Sequence, residues 1–267
     1  MHNLRRKIYY DNSQQITYYS KPIQAVHNRF DCSTGEIFKI RRSDGTELIE
    51  NPFTGELERV EVIKSDDDTK KKERDNYNRA KNKIYDIARC NYWDWFVTFT
   101  FSSDYVDRYD YSKCKNKISK WFNNLRSKGV CPDMKYLVVP EQHKDGAWHF
   151  HGLFANCDNL CFNDSGKRDR RGRIIYNVGR YKWGFTTATR VSDTKKASGY
   201  LCKYISKELV AATKGMKRYW YSQNCDLPVV VSEIVEVGVM EYCRSLPVLH
   251  MKDVITPYNH VYYIEVG

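Results

Sequence analysis

The sequence has no run of about 18 apolar residues, so no stretch of it is expected to cross a bilayer as a helix, and no membrane partner is expected. Its N-terminus lacks the apolar core of a secretory signal. Nine cysteines, an odd number, are scattered without spacings that would frame disulfides, which fits a reducing cytoplasm. Cys157 and Cys161 are read as two ordinary thiols, because zinc would need further partners that the spacing does not supply. There is also no Gly-x-x-x-x-Gly-Lys-Ser/Thr phosphate loop. Gly166-Lys167 is followed by Arg168, and a nucleotide-driven motor is not expected in this chain.

Positive charge and tyrosine are abundant. The formal net charge is +11, and 21 of the residues are tyrosine. Several aromatics sit beside basic residues, as in Arg180-Tyr181-Lys182-Trp183 and Lys217-Arg218-Tyr219-Trp220-Tyr221. Such a composition suits a chain that lies along phosphates and stacks on unpaired bases. Aromatic core residues flanked by surface charge is the equally good alternative for any one of these clusters.

A hairpin is expected to carry two histidines. Residues 135–142 read KYLVVPEQ and residues 148–155 read WHFHGLFA, with a Gly-containing turn between them. Side chains alternate along a strand, so His149 and His151 share one face while Phe150 takes the other. Two imidazoles can then reach one ion, and a carboxylate beside them adds a hard ligand acceptable to Mn²⁺ or Mg²⁺. Glu141 is the candidate, in a register where His143 faces His149 and Glu141 faces His151. His143 is the competing ligand. An ordinary half-buried histidine pair is the alternative.

A helix is expected to carry two tyrosines. Residues 195–210 contain no proline, place Ala197, Leu201, Tyr204, Ile205 and Leu209 at helical intervals, and follow a capping candidate, Asp193. Tyr200 and Tyr204 would lie about one turn apart, each with a lysine three residues on, Lys203 and Lys207. A tyrosine hydroxyl, with a pKa near 10, attacks a phosphodiester only when the phosphate is polarised and the charge is compensated, which lysines can do. The competing view packs the tyrosines in the core and lets the lysines snorkel outward.

Elsewhere, residues 1–65 alternate hydrophobic and polar residues around turn signals at Ser33-Thr34-Gly35, Ser43-Asp44-Gly45 and Pro52-Phe53-Thr54-Gly55, and are read as a β-rich accessory region. Helices are expected over 66–90 and 112–127. Residues 163–173, NDSGKRDRRGR, are read as a flexible basic loop against the DNA backbone. Its Lys167, Arg168, Arg170, Arg171 and Arg173, with Arg180 and Lys182 beyond it, are the candidate DNA contacts. Residues 229–267 are read as a C-terminal extension with two strand-like runs, 229–239 and 261–266. The region between the two additions, 66–228, is read as the catalytic domain.

The strand FVTFTF at 96–101, His149-Phe150-His151, and YLCKYISK at 200–207 resemble, in this order and spacing, motifs I, II and III of the HUH endonucleases. The arrangement is most similar to rolling-circle replication initiators of bacteriophages and small plasmids, and the paired tyrosines to the phage A-type proteins. The resemblance spans about residues 75–228 and includes RYWYSQNCDLP, 218–228, which looks like the end of that domain.

The resemblance implies an α+β fold, a central antiparallel sheet with flanking helices of ferredoxin-like or RNA-recognition-like topology, to which the N-terminal β-rich region is an addition. It implies that His149, His151 and Glu141 hold a divalent metal ion, that Tyr204 and Tyr200 are nucleophiles, and that Lys207 and Lys203 support them. The implied reaction cuts one strand at an origin, leaves a 5′-phosphotyrosine link and a free 3′-hydroxyl, and reverses to rejoin. Single-stranded or hairpin origin DNA, a host helicase and a DNA polymerase are the implied partners, in the cytoplasm of a bacterial host. A transposase or mobilisation relaxase of the same class, and a DNA-binding regulator that does not cut, stay open as alternatives.

Overall fold

A computed structural model describes residues 2–23, 39–41, 47–50, 57–59, 66–206, 209, 213, 216–256 and 259–267. The elements are β1 (His2–Ile8), β2 (Gln14–Ile23), β3 (Lys39–Arg41), β4 (Glu47–Glu50), β5 (Leu57–Arg59), α1 (Asp66–Arg89), β6 (Trp95–Phe101), α2 (Tyr111–Ser127), β7 (Lys135–Gln142), β8 (Trp148–Ala155), β9 (Phe162–Arg168), β10 (Ile174–Val178), β11 (Gly184–Arg190), α3 (Thr194–Leu201), β12 (Trp220–Tyr221), β13 (Val229–Glu233), α4 (Val239–Cys243), β14 (Val248–Ile255) and β15 (His260–Val266). The fold is α+β, and every strand pairing is antiparallel.

Seven strands form the central sheet, in the order β12-β7-β8-β6-β11-β10-β9. Strand β6 shows how its two faces differ. Trp95, Val97, Phe99 and Phe101 are buried while Phe96, Thr98 and Thr100 are intermediate, the alternation of a strand with one deep and one shallower face. On the deep face, Phe99 meets Trp121 and Phe122 of α2 and Phe154 of β8, all at centroid spacings of 5.6–5.9 Å in edge-to-face geometry. Helix α2 begins at Asp110, whose side chain accepts from Lys113 N. The shallower face is covered by α3, which packs on α1 and β8.

Two residues tune the hairpin of β7 and β8. Gly152 has no room for a side chain, since a Cβ there would lie 2.8 Å from Val138 and Phe154. Pro140 lies beyond the two β7 residues, Leu137 and Val138, that pair with β12, so it occupies a stretch with a described partner on one side, where a missing N–H is tolerated.

The sequence reading separates the two chain ends as distinct additions, and the structure joins them. Strands β1 and β2 lie in one five-stranded sheet with β13, β14 and β15, in the order β13-β1-β2-β15-β14. The C-terminal region differs from its reading as two strand-like runs. The run 229–239 ends as a strand at Glu233, α4 follows, and β14 is a third strand. That strand is hidden in the sequence because its residues are all exposed and show no face-to-face alternation. A small sheet of β3, β4 and β5 accounts for two of the expected N-terminal hairpins. The turn signals at Ser33-Thr34-Gly35, Ser43-Asp44-Gly45 and Pro52-Phe53-Thr54-Gly55 lie outside the described residues.

The expected basic loop at 163–173 is instead a hairpin. Strands β9 and β10 pair from Phe162↔Val178 to Arg168↔Ile174, with an irregularity between Ile175 and Tyr176, and Asp169 closes the turn by accepting from the backbone N–H groups of Arg171 and Arg173. Its polar, charged residues obscure the strand pattern, because both faces of this edge hairpin are largely solvated. No helix among the described residues is long and apolar enough to cross a membrane. Cys157 is buried and Cys161 exposed, and both are free thiols.

Candidate active site

Strand β8 lies between β7 and β6, and both neighbours present their side chains to its histidines. The hairpin register differs from the expected one by two residues, with Glu141 opposite His149 and Val139 opposite His151. The shift is even, so Glu141 keeps the histidine face. The tight turn sets it, His143 N donating to Ala147 O at 2.8 Å where the sequence suggests a longer loop. Glu141 reaches diagonally to His151, with Oε2 2.7 Å from Nε2. His143 stays nearby on the exposed side, its ring 5.1 Å from that of His149.

The other neighbour supplies a part of the site that motif reading missed. Across the β6–β8 ladder Thr98 is opposite His151 and Thr100 opposite His149. Thr98 Oγ1 lies 3.0 Å from Nδ1 of His151, and Thr100 Oγ1 3.1 Å from Nδ1 of His149. Both imidazoles are therefore gripped at Nδ1 and present Nε2 as the second nitrogen. The alternation of FVTFTF held this signal, since two threonines two apart on one strand must share a face.

Ionisation follows from these contacts. The bond to His151 holds the Glu141 carboxyl below the usual carboxylate range, with the neighbouring imidazoles adding to it against the cost of burial. Burial pushes the His149 imidazole below its ordinary value, helped by repulsion from His151 and His143. The His149 ring is thereby kept neutral, the state in which imidazole binds metals.

The tyrosines arrive on α3. Asp193 caps it as expected, accepting from Lys196 N at 2.9 Å. The helix itself is shorter than the expected 195–210. It ends at Leu201, a 3-10 turn covers Cys202–Tyr204, and Ile205 is extended. Gly199 weakens the last turn, and the buried Leu201, Cys202 and Ile205 are anchored in the core, so packing overrides helical spacing. The tightened turn lays Tyr204 flat on His151, with centroids 3.6 Å apart and planes at 11°. Its hydroxyl donates to that of Tyr200 at 3.0 Å. Phe96 packs against both rings, at 5.1 Å from Tyr200 and 6.2 Å from Tyr204.

The two tyrosines differ in exposure. Tyr200 is 46% exposed, whereas Tyr204 is half-buried and covers a histidine that is only 5% exposed. Burial, then the bond to Tyr200, then the charge of Glu141 push the Tyr204 hydroxyl well above its ordinary value. Lys203 is exposed and its Nζ lies 5.4 Å from the Tyr200 ring centre. Lys207 lies outside the described residues.

The structure thus brings together Glu141, His149, His151, Tyr200, Tyr204 and Lys203. It does not bring the basic hairpin to them. Lys167, Arg168, Arg170, Arg171 and Arg173 lie on β9 and its turn, and β9 is four strand spacings from β8, roughly 19 Å. Arg173 is tied to Asp169 at 2.7 Å, and Arg180 donates to Asn159 O at 2.6 Å. Lys182 follows β10 in the turn to β11.

A family model for replication-associated proteins of the ORF2 type matches residues 94–209. The matched span begins just before β6 and ends past the tyrosine turn, so it takes in every residue of this cluster. It is consistent with a rolling-circle replication initiator. No curated protein and no solved structure matches the chain.

Among the described residues, no group of three or more His, Cys, Asp or Glu side chains is arranged to hold a metal ion as it stands. His151 Nε2 and Glu141 are bonded to each other. The donor set nevertheless suits a divalent cation: two imidazoles held from behind, and a carboxylate beside them.

Proposed function

We propose that the protein starts rolling-circle replication by cutting one DNA strand and joining the 5′ end to a tyrosine. The observation that carries this reading is the packing of Tyr204 on His151, with Tyr200 hydrogen-bonded to it, inside the span that matches a replication-associated family. A core tyrosine pair has no need of two polar rings above a histidine–carboxylate cluster. The order β7-β8-β6-β11 is that of the four-stranded ferredoxin-like sheet and supports the fold reading, although α3 follows β11 instead of preceding it.

In this reading His149, His151 and Glu141 would hold Mn²⁺ or Mg²⁺. When bound, the cation polarises the scissile phosphate. Tyr204 Oη attacks phosphorus, the bond to the 3′ oxygen breaks, and a 5′-phosphotyrosine link and a 3′-hydroxyl result. The phenolic proton leaves along the bond to the exposed Tyr200 hydroxyl. Lys203, and Lys207 farther along the chain, compensate the charge that develops. Tyr200, the more accessible ring, takes the second transfer. Lys167, Arg168, Arg170, Arg171, Arg173, Arg180 and Lys182 would meet the flanking backbone away from the cut. The free 3′ end serves a host polymerase, with a host helicase opening the duplex. The replication-associated match favours this over a transposase or relaxase.

The test is a denaturing gel of protein incubated with Mn²⁺ and labelled single strands from its own replicon. Wild type should give a shifted covalent band that Tyr204→Phe reduces at least about 100-fold and the double tyrosine variant removes, with His151→Ala abolishing the metal-dependent band. Tight DNA binding without a covalent band for any strand or metal would instead support a regulator that does not cut.

A further inference from the structure

An aromatic and basic groove on the β12 edge is not used by the cutting chemistry. Strand β12 pairs with β7 through Trp220↔Val138 and Tyr221↔Leu137. Trp220 turns to the deep face and packs against Phe150 at 5.4 Å. Tyr219 and Tyr221 therefore share the opposite face, that of Leu137, Val139 and Glu141 and of both histidines. Extending the register by one residue puts Tyr219 beside Val139, whose partner on β8 is His151. Two strand spacings, about 10 Å, separate Tyr219 from His151.

The two rings are near-parallel, with planes at 12° and centroids 6.4 Å apart. They line a groove of about 600 Å³ together with Lys217 and Gln223. Its floor is fixed. Tyr111 donates its hydroxyl to Lys217 O, and Ser222 N donates to Tyr136 O at 2.9 Å while Ser222 Oγ accepts from Tyr136 N at 3.1 Å.

We propose that this groove is a base-stacking subsite for the single DNA strand that enters the cutting site. Unpaired bases lie against Tyr219 and Tyr221, and the exposed Lys217 ammonium meets an adjacent phosphate. The separation from His151 corresponds to about three base steps of a stacked strand, so the groove holds nucleotides close to the cut. A basic rim beside two half-exposed rings complements an anionic, unpaired polymer, whereas duplex DNA would offer no free base faces. The substrate class rests on the strand-cutting reading, but binding can be measured without cutting.

The experiment is fluorescence anisotropy of full-length protein with a labelled oligothymidylate in EDTA, which removes the metal requirement. Tyr219→Leu and Tyr221→Leu keep apolar bulk and should each weaken binding about 10-fold, while the corresponding Phe variants bind as wild type. Lys217→Ala should lower the salt dependence by about 0.7 in the log–log slope. Tyr204→Phe, inactive under the proposed function, should bind normally. Circular dichroism and thermal unfolding confirm that the variants fold. If a Leu variant unfolds, quenching of a 2-aminopurine placed in the strand by wild-type protein reads the stacking directly. Unchanged affinity in the folded double Leu variant, absent quenching, or no binding of the single strand by wild type would overturn the subsite. Normal wild-type binding with no covalent tyrosine link would overturn the cutting reading and leave the subsite standing.

Discussion

The two large sheets are built on different principles. The central sheet buries alternate residues almost completely, with Trp95, Val97, Phe99, Phe101, Phe150 and Phe154 at 0–2% exposure. The terminal sheet is cored by a few residues, Leu4, Ile16, Tyr18, Val239, Ile264 and Val266. Its outer strand β14 is exposed throughout, as is most of β13. Every described residue of the cutting site lies on the central sheet or on α3 and the turn that follows it. A site needing tyrosine, imidazole and carboxylate within hydrogen-bonding distance demands the deeper frame, because dense packing permits little displacement.

Polar contacts tie the two sheets together. Asp86 of α1 receives Lys7 Nζ at 2.8 Å and the Tyr9 hydroxyl at 3.0 Å. Arg89 pairs with Asp11 at 3.1 Å, and Lys195 at the start of α3 pairs with Glu265. Asp86→Ala should break the comparison most strongly. It strands a partly buried lysine and should cost about 3 kcal/mol in thermal or denaturant unfolding. Covalent attachment to DNA by the folded fraction should persist. Lost attachment with unchanged stability would mean that the terminal sheet takes part in the chemistry.

The sequence made the central sheet legible where a face was buried. FVTFTF, KYLVVPEQ and WHFHGLFA carry strand signals because one side of each meets a core, and α2 shows its stripe of Ile118, Trp121, Phe122 and Leu125 for the same reason. The β9–β10 hairpin and β14 were illegible because neither has a well-buried face to impose a period. At the site, motif spacing singled out the histidines and tyrosines, and Glu141 by face. Thr98 and Thr100 went unread because their role arises from cross-strand pairing between β6 and β8, which local spacing does not encode. The end of α3 was missed because Leu201, Cys202 and Ile205 packing into the core, not helix propensity, decides where the turn tightens.

Those threonines sharpen the comparison next. With Glu141 on Nε2 of His151, that nitrogen bears the proton and Nδ1 accepts from the Thr98 hydroxyl. A cation at Nε2 requires the proton on Nδ1, which then donates to the same hydroxyl. A hydroxyl serves both states because it donates and accepts. Thr98→Val keeps the shape and loses this exchange, so Mn²⁺ affinity by calorimetry should fall about 10- to 100-fold, with Thr98→Ser restoring most of it. Thr17→Val, a strand threonine on the terminal sheet, should leave the affinity unchanged. Equal affinity in Thr98→Val would reduce Thr98 to packing.

The smallest expected effect is acid sensitivity. Glu141 is held below its ordinary value in the folded chain, so its contribution is present above the unfolded carboxylate range and is lost as pH falls through the lower folded value. His149 is also held low, by burial. Its neutral form is favoured on folding, and below about pH 6.5 the unfolded chain takes up the proton first, which again destabilises the folded state. Both groups make stability fall with falling pH, His149 beginning near pH 6.5 and Glu141 in the carboxylate range below it. The metal-free protein should therefore melt at progressively lower temperature from about pH 7 towards about pH 4, and Glu141→Gln with His149→Gln should make that slope shallower. If the double variant melts with the wild-type slope, the acid response belongs to other groups, and the carboxylates that bind the terminal sheet to α1 are the next place to look.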